Sequence, residues 1–114
     1  WVDREDDLDA VTALSGSGPA YFFFFVEAMT AAAVDMGLSA EQGRRLALAT
    51  CAGAAALGLA SDQSPTVLRE RVTSKGGTTH AAITSLQGDA VDAAIRRAVL
   101  AAQKRAAELG REFG

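Results

Sequence analysis

The sequence holds a single cysteine, Cys51, and a single histidine, His80. One thiol excludes an internal disulfide, and one thiol with one imidazole supplies neither a His/Cys metal cage nor a Cys–His nucleophile pair. Cys51 stands in Ala49-Thr50-Cys51-Ala52-Gly53, with no acid or base beside it in sequence to lower its pKa, and is expected to be a buried, inert thiol. His80, beside a helix start, is expected to be an ordinary polar turn residue. Proline is confined to Pro19 and Pro65, and aromatics make up only 6% of the chain, so small aliphatic side chains must form any core. No segment alternates polar and apolar with period two, which argues against a sheet with one solvated face. There is no basic excess either: 11 Lys and Arg face 14 Asp and Glu, which gives no field to gather a nucleic acid. No cationic stretch followed by a short apolar run opens the chain, so a cytoplasmic setting is the default expectation.

Alanine, leucine and short polar residues dominate, and their spacing predicts an all-α fold of five or six helices in one domain spanning residues 1–114. Asp3, Glu5, Asp6, Asp7 and Asp9 around Arg4 read as a solvated loop and the negative first turn of a helix. Trp1-Val2, without an initiator Met, reads as the end of an extended segment of something longer. Pro19 fits the first turn of a helix that is almost continuously apolar from Ala20 to Val34, broken only by Glu27 and Thr30. A helix apolar all round must be covered on every side, by lipid or by a second subunit. From Gly18 to Val34 the stretch is shorter than the ~20 residues that span a bilayer, and Glu27 lies near its middle, so a subunit interface rather than a membrane is expected.

Gly37 fits the residue after a helix end, and Ser39-Ala40-Glu41-Gln42 has the form of a capping box that opens the next helix. That helix, whose Leu46 to Ala60 segment mixes leucine with Ala and Gly, offers a smooth face for close contact. Ser64-Pro65 starts a short helix to about Arg71, another runs from Thr78 to Leu86, and Gly88-Asp89 introduces a last amphipathic one. On this last helix Val91, Ile95, Ala98, Ala102 and Leu109 are expected to face one way, and Arg96, Arg97, Lys104, Arg105 and Glu108 another.

Two Gly-rich stretches precede helices: Ser15-Gly16-Ser17-Gly18-Pro19-Ala20 and Thr73-Ser74-Lys75-Gly76-Gly77-Thr78-Thr79. Free N–H groups at a helix start, together with glycines and hydroxyls, can hold a carboxylate or a phosphate. The first stretch is open between a packing turn and a site lined by Ser15, Gly16, Ser17 and Gly18. The second, with hydroxyl or glycine at nearly every position, favours anion binding.

Ala13-Leu14-Ser15-Gly16-Ser17-Gly18-Pro19-Ala20-Tyr21 and Leu68-Arg69-Glu70-Arg71-Val72-Thr73-Ser74-Lys75-Gly76-Gly77-Thr78-Thr79 resemble, in this order, the two signature blocks of the pyrroline-5-carboxylate reductase family. The resemblance runs over the whole chain and covers the C-terminal part of the family's polypeptide. It implies the helical dimerisation domain of a two-domain reductase of the 6-phosphogluconate-dehydrogenase-like plan, whose helices 20–34 and 46–60 interlock with those of a second copy, with higher assembly possible. An N-terminal domain, absent from this chain, would bind NADPH or NADH. The resemblance also implies a substrate, 1-pyrroline-5-carboxylate, whose carboxylate is held by Ser74, Gly77, Thr78 and Thr79. The Thr79 hydroxyl would be the catalytic group near the ring nitrogen, and no metal is implied. The family commonly has Pro where this sequence has Lys75, which leaves the stiffness of that turn open. Two rival readings are the equivalent domain of another imine or hydroxyacid dehydrogenase, and a dimerisation module without activity of its own.

Overall fold

The structure, a computed structural model, describes residues 5–113. The reading of Trp1-Val2 as an extended end and of Asp3 and Arg4 as loop lies outside these residues. All regular elements among the described residues are helical: α1 (Glu5–Val11), a π turn (Thr12–Gly16), α2 (Gly18–Asp35), α3 (Ala40–Ala60), α4 (Pro65–Arg71), α5 (Thr78–Gly88) and α6 (Val91–Phe113). The all-α expectation holds, with six α-helices. The chain divides into two units, one of residues 1–22 and 86–114 and the other of residues 23–85.

In the first unit α6 and α1 pack on the π turn, and Ala13 at the centre of that turn is buried to 1% exposure. α6 carries the expected apolar face, and only part of it is covered within this unit. Val91, Val99, Ala102 and Ala106 are half-buried, whereas Ile95, Ala98 and Leu109 are exposed. The corner before α6 differs from the one expected: α5 runs on to Gly88, and Ala90, at φ 53°, makes the bend. Its N–H bonds to the Gln87 carbonyl at 3.0 Å and its carbonyl accepts from Ala94 at 3.1 Å, so Ala90 closes one helix and opens the next.

The second unit is organised by the α2–α3 corner. Gly37 takes φ 98°, a conformation an L side chain would strain. It lets the Leu38 N–H reach the Ala33 carbonyl and the Gly37 N–H the Val34 carbonyl, each at 3.0 Å, as in a Schellman motif. Immediately afterwards the Ser39 hydroxyl accepts from the Gln42 N–H at 3.1 Å, while the Gln42 side chain accepts from the Ser39 N–H at 2.9 Å. Both halves of the expected capping box are made. The end of one helix and the start of the next are thereby capped within a few residues.

α2 and α3 then approach where their side chains are smallest. A Cβ on Gly43 would lie 2.6 Å from the Ala33 Cβ and 3.4 Å from the Thr30 carbonyl oxygen, so the crossing distance is set by the missing methyl. Gly43→Ala should therefore destabilise the chain: overpacking costs about 1–3 kcal/mol and outweighs the roughly 1 kcal/mol gained in helix propensity. Denaturant unfolding checks this; a rise in the midpoint would show that the crossing yields freely.

Val26, Ala33 and Ala47 are the buried apolar residues of this unit, and its large side chains lie outside. Phe24 is 76% exposed, Met36 75% and Leu59 90%, with Phe23, Phe25, Leu46 and Leu57 each at least half exposed. Isolated exposed apolar residues are ordinary, but this density marks an interaction surface. The expectation of helices too apolar for a monomer is met on both α2 and α3.

Candidate functional site

The Thr73–Thr79 segment is built by short-range bonds. α4 starts with Ser64, whose hydroxyl accepts from the Val67 N–H at 3.2 Å, and with Pro65 at its first position. It ends where the Thr73 hydroxyl donates back to the Arg69 carbonyl at 2.6 Å. A β-turn follows, closed by the Gly77 N–H to the Ser74 carbonyl at 3.0 Å, with Gly76 at φ 78°. A positive φ at the third turn residue alone is the pattern of a type II turn, which places Lys75 at the second position, where proline fits best. The Lys75 N–H makes no backbone bond, so the geometry does not depend on lysine.

Gly77 is then the N-cap of α5: its carbonyl accepts from the Ala81 N–H at 3.1 Å. Glycine has no side chain to cap the helix, so the N–H groups of Thr78, Thr79 and His80 find no backbone carbonyl among the described residues. A Cβ at Gly77 would come within 3.3 Å of the Ser74 carbonyl oxygen, which holds the turn close to the helix start. Ser74, Thr78 and Thr79 are exposed and Gly77 half-buried. The structure thus brings together Ser74, Gly77, Thr78 and Thr79 as one cluster of hydroxyls and free N–H groups at the positive end of an eleven-residue helix. This arrangement can receive a carboxylate without any basic side chain. His80 is exposed and Cys51 half-buried, and no group of three metal-ligating side chains occurs among the described residues.

The residues of the first Gly-rich stretch lie in the other unit. Ser15 and Gly16 end the π turn, exposed; Ser17 forms the bend and Gly18 opens α2. The Ser15 hydroxyl donates to the Val11 carbonyl at 3.2 Å. Gly18 is buried, and no atom lies within 4 Å of a Cβ built on it. The sequence reading missed Tyr21, whose hydroxyl donates to the Ala13 carbonyl at 2.7 Å. In sequence it closes the first signature block and stands alone ahead of a phenylalanine run, with nothing to show its partner.

The apolar stretch is longer than the 18–34 segment expected from the sequence. Through the π turn α1 joins α2, and Asp7–Asp35 becomes a stretch of 29 residues that is long and apolar enough, by length and composition, to cross a membrane. Glu27 and the break at the π turn still stand against that use, but shortness does not.

The second unit also contains an open groove between α2 and α3, about 800 Å³, lined by Phe23, Val26, Thr30, Leu48 and the charged Glu27 and Arg44. It is a trough on the exposed apolar face rather than an enclosed cavity.

Residues 5–109 match the family profile described as pyrroline-5-carboxylate reductase dimerisation. A pyrroline-5-carboxylate reductase of Pseudomonas aeruginosa is 51% identical over 114 residues, which are 100% of this chain and 42% of that protein. One from Arabidopsis thaliana is 45% identical over 105 residues, 92% of this chain and 38% of that protein. Among solved structures, a pyrroline-5-carboxylate reductase from Coxiella burnetii superposes with a TM-score of 0.91 at 44% identity, covering 96% of this chain and 40% of that one. The Plasmodium falciparum pyrroline carboxylate reductase with NADP bound gives a TM-score of 0.90 at 35% identity, over 95% and 44%. The chain therefore spans about two fifths of the length of the curated relatives it matches. With the profile covering nearly every described residue, the chain belongs to the pyrroline-5-carboxylate reductase dimerisation family.

Proposed function

We propose that this chain is the dimer-forming and substrate-binding part of a cytoplasmic reductase that converts 1-pyrroline-5-carboxylate to L-proline with NADPH or NADH. The observation that carries the reading is the uncapped start of α5 beside the Ser74–Gly77 turn, in a chain that belongs to this family. No strand–turn–helix cradle for a dinucleotide occurs among the described residues, so they do not fit the nicotinamide cofactor.

In this reading the substrate carboxylate sits on the N–H groups of Thr78 and Thr79 and the Ser74 hydroxyl, with Gly77 keeping the approach free of side-chain atoms. Charge-assisted bonds to preorganised backbone donors orient the ring at little cost, because the donors do not move on binding. The Thr79 hydroxyl reaches the ring nitrogen, where it orients the imine or supplies a donor. Positioning and electrostatics are the work left to these residues, since the reducing equivalents come from the cofactor.

A second copy of the chain covers the exposed faces of α2 and α3. Fully burying one large apolar side chain contributes roughly 1.5–3 kcal/mol, so the Phe, Leu and Met side chains exposed on these helices together match the whole stability of a small domain. Glu27 within α2 favours a protein partner over lipid.

Joined to the cofactor domain of the Pseudomonas aeruginosa relative, the chain should sediment as a dimer or higher oligomer and reduce 1-pyrroline-5-carboxylate. The chain alone should dimerise and give no turnover. A monomeric chain at micromolar concentration, or a folded chimera that reduces other imines but not this one, would refute the reading.

A further inference from the structure

The groove between α2 and α3 holds two charges of opposite sign within an apolar lining. Glu27 is the one charged residue between Gly18 and Val34 of α2. The positions three and four residues away along the helix are Phe23, Phe24, Thr30 and Ala31, none of which carries a positive charge. Arg44 lines the same groove from α3. The other charge there, Glu41, is already bonded to Arg45 at 2.9 Å. Among the described residues neither Glu27 nor Arg44 belongs to an ion pair, a mutual one included. In the single chain both are exposed and solvated.

Phe23, Val26 and Leu48 make up much of the remaining lining. In the dimer proposed above a second copy covers this face, and water leaves with it. An ion stripped of water and given no partner is strongly destabilising. A symmetric pair of chains meets through the same surface on both sides, so a residue that touches another across the axis is touched by that residue's copy in return. Of the contacts this allows, Glu27 on Glu27 and Arg44 on Arg44 repel. Only Glu27 on Arg44 neutralises both charges, twice in each dimer.

We propose that Glu27 of each chain pairs with the partner subunit's Arg44, and that the two pairs fix the register in which the apolar faces of α2 and α3 meet. The inference rests on the dimer reading above and adds what aligns the two copies. A surface of alanine, leucine and phenylalanine can pack in several registers, whereas a buried charge tolerates only the one that brings its counter-ion. The large side chains then supply affinity, and the charges supply selectivity.

Charge reversal tests this in the complete enzyme. Chains carrying Glu27→Arg have two cations at the groove, and chains carrying Arg44→Glu have two anions. Each variant alone should lose dimer, its dissociation constant rising about a hundredfold or more. Co-expressed with distinct tags and resolved by native mass spectrometry, the two kinds of chain should pair with each other. Mixed dimers should exceed like-with-like dimers about tenfold, because each cation then faces an anion of the other chain. Single variants that dimerise as well as the unmodified enzyme would overturn the inference. So would a folded mixture that pairs only by chance, which would put each charge's partner within its own chain. Should the reversed chains fail to fold, Glu27→Gln and Arg44→Gln chains are mixed in the same way. Mixed dimers of these bring the remaining Glu27 to the remaining Arg44 and should again predominate; a chance mixture would overturn the inference here too. A monomeric unmodified enzyme would instead refute the dimer reading itself.

Discussion

Phe24→Glu combined with Leu59→Glu should leave no folded dimer at micromolar concentration. These two side chains, 76% and 90% exposed in the single chain, stand on α2 and α3, where a second copy is proposed to lie. Each substitution forgoes roughly 1.5–3 kcal/mol of burial and forces a carboxylate either to desolvate or to hold the interface open, at a cost of several kcal/mol more. Two substitutions per chain, doubled by symmetry, exceed the 5–15 kcal/mol that stabilises an ordinary small protein. Circular dichroism should show lost helix and sedimentation a monomer. A variant that stays dimeric with an unchanged midpoint would place the interface elsewhere.

The second large effect is expected at Thr79. In the complete enzyme Thr79→Val keeps the backbone N–H that is proposed to hold the carboxylate and removes only the hydroxyl proposed to meet the ring nitrogen. Loss of a hydrogen bond to a charged or reacting group costs on the order of 2–3 kcal/mol in the transition state, or about a hundredfold in kcat/KM. Cofactor affinity should hardly change. An equal loss in kcat and kcat/KM assigns the hydroxyl to the transition state, whereas a pure rise in KM assigns it to uniform substrate binding. Unchanged steady-state constants in a folded variant would remove Thr79 from the chemistry and leave Ser74 and the backbone donors as the site.

The features that could be read from the sequence are those decided within a few residues. Ser39 and Gln42, Gly37, and Ser64-Pro65 act on neighbouring backbone, so their geometry follows from residue type and spacing. The glycines of the Ser74–Gly77 turn announced an open backbone for the same reason. The π turn could not be read this way: the bond from the Ser17 N–H to the Thr12 carbonyl stands beside one from Tyr21, eight residues beyond Ala13, and no local spacing rule links the two. Nor could the pairing of Gly43 with Ala33, since a run of small residues shows that helices can approach but not at which pair. The apolar face of α6 was legible from helical periodicity, but not which part of it the chain itself covers: Ile95 and Leu109 lie on that face and are exposed. An apolar stripe records everything a helix will bury, including what a partner covers. The role of the Thr79 hydroxyl came from family resemblance, and the fold puts Thr79 in the first turn of α5.

The scarcity of buried side chains makes stability a property of the solution as much as of the chain. If a second copy completes the core, folding and association are one bimolecular equilibrium. Each tenfold dilution then weakens the folded state by about 1.4 kcal/mol per dimer, and the thermal midpoint rises with concentration. Newly made chains, with Phe24 and Leu59 bare, would depend on meeting one another before a protease or an aggregate claims them.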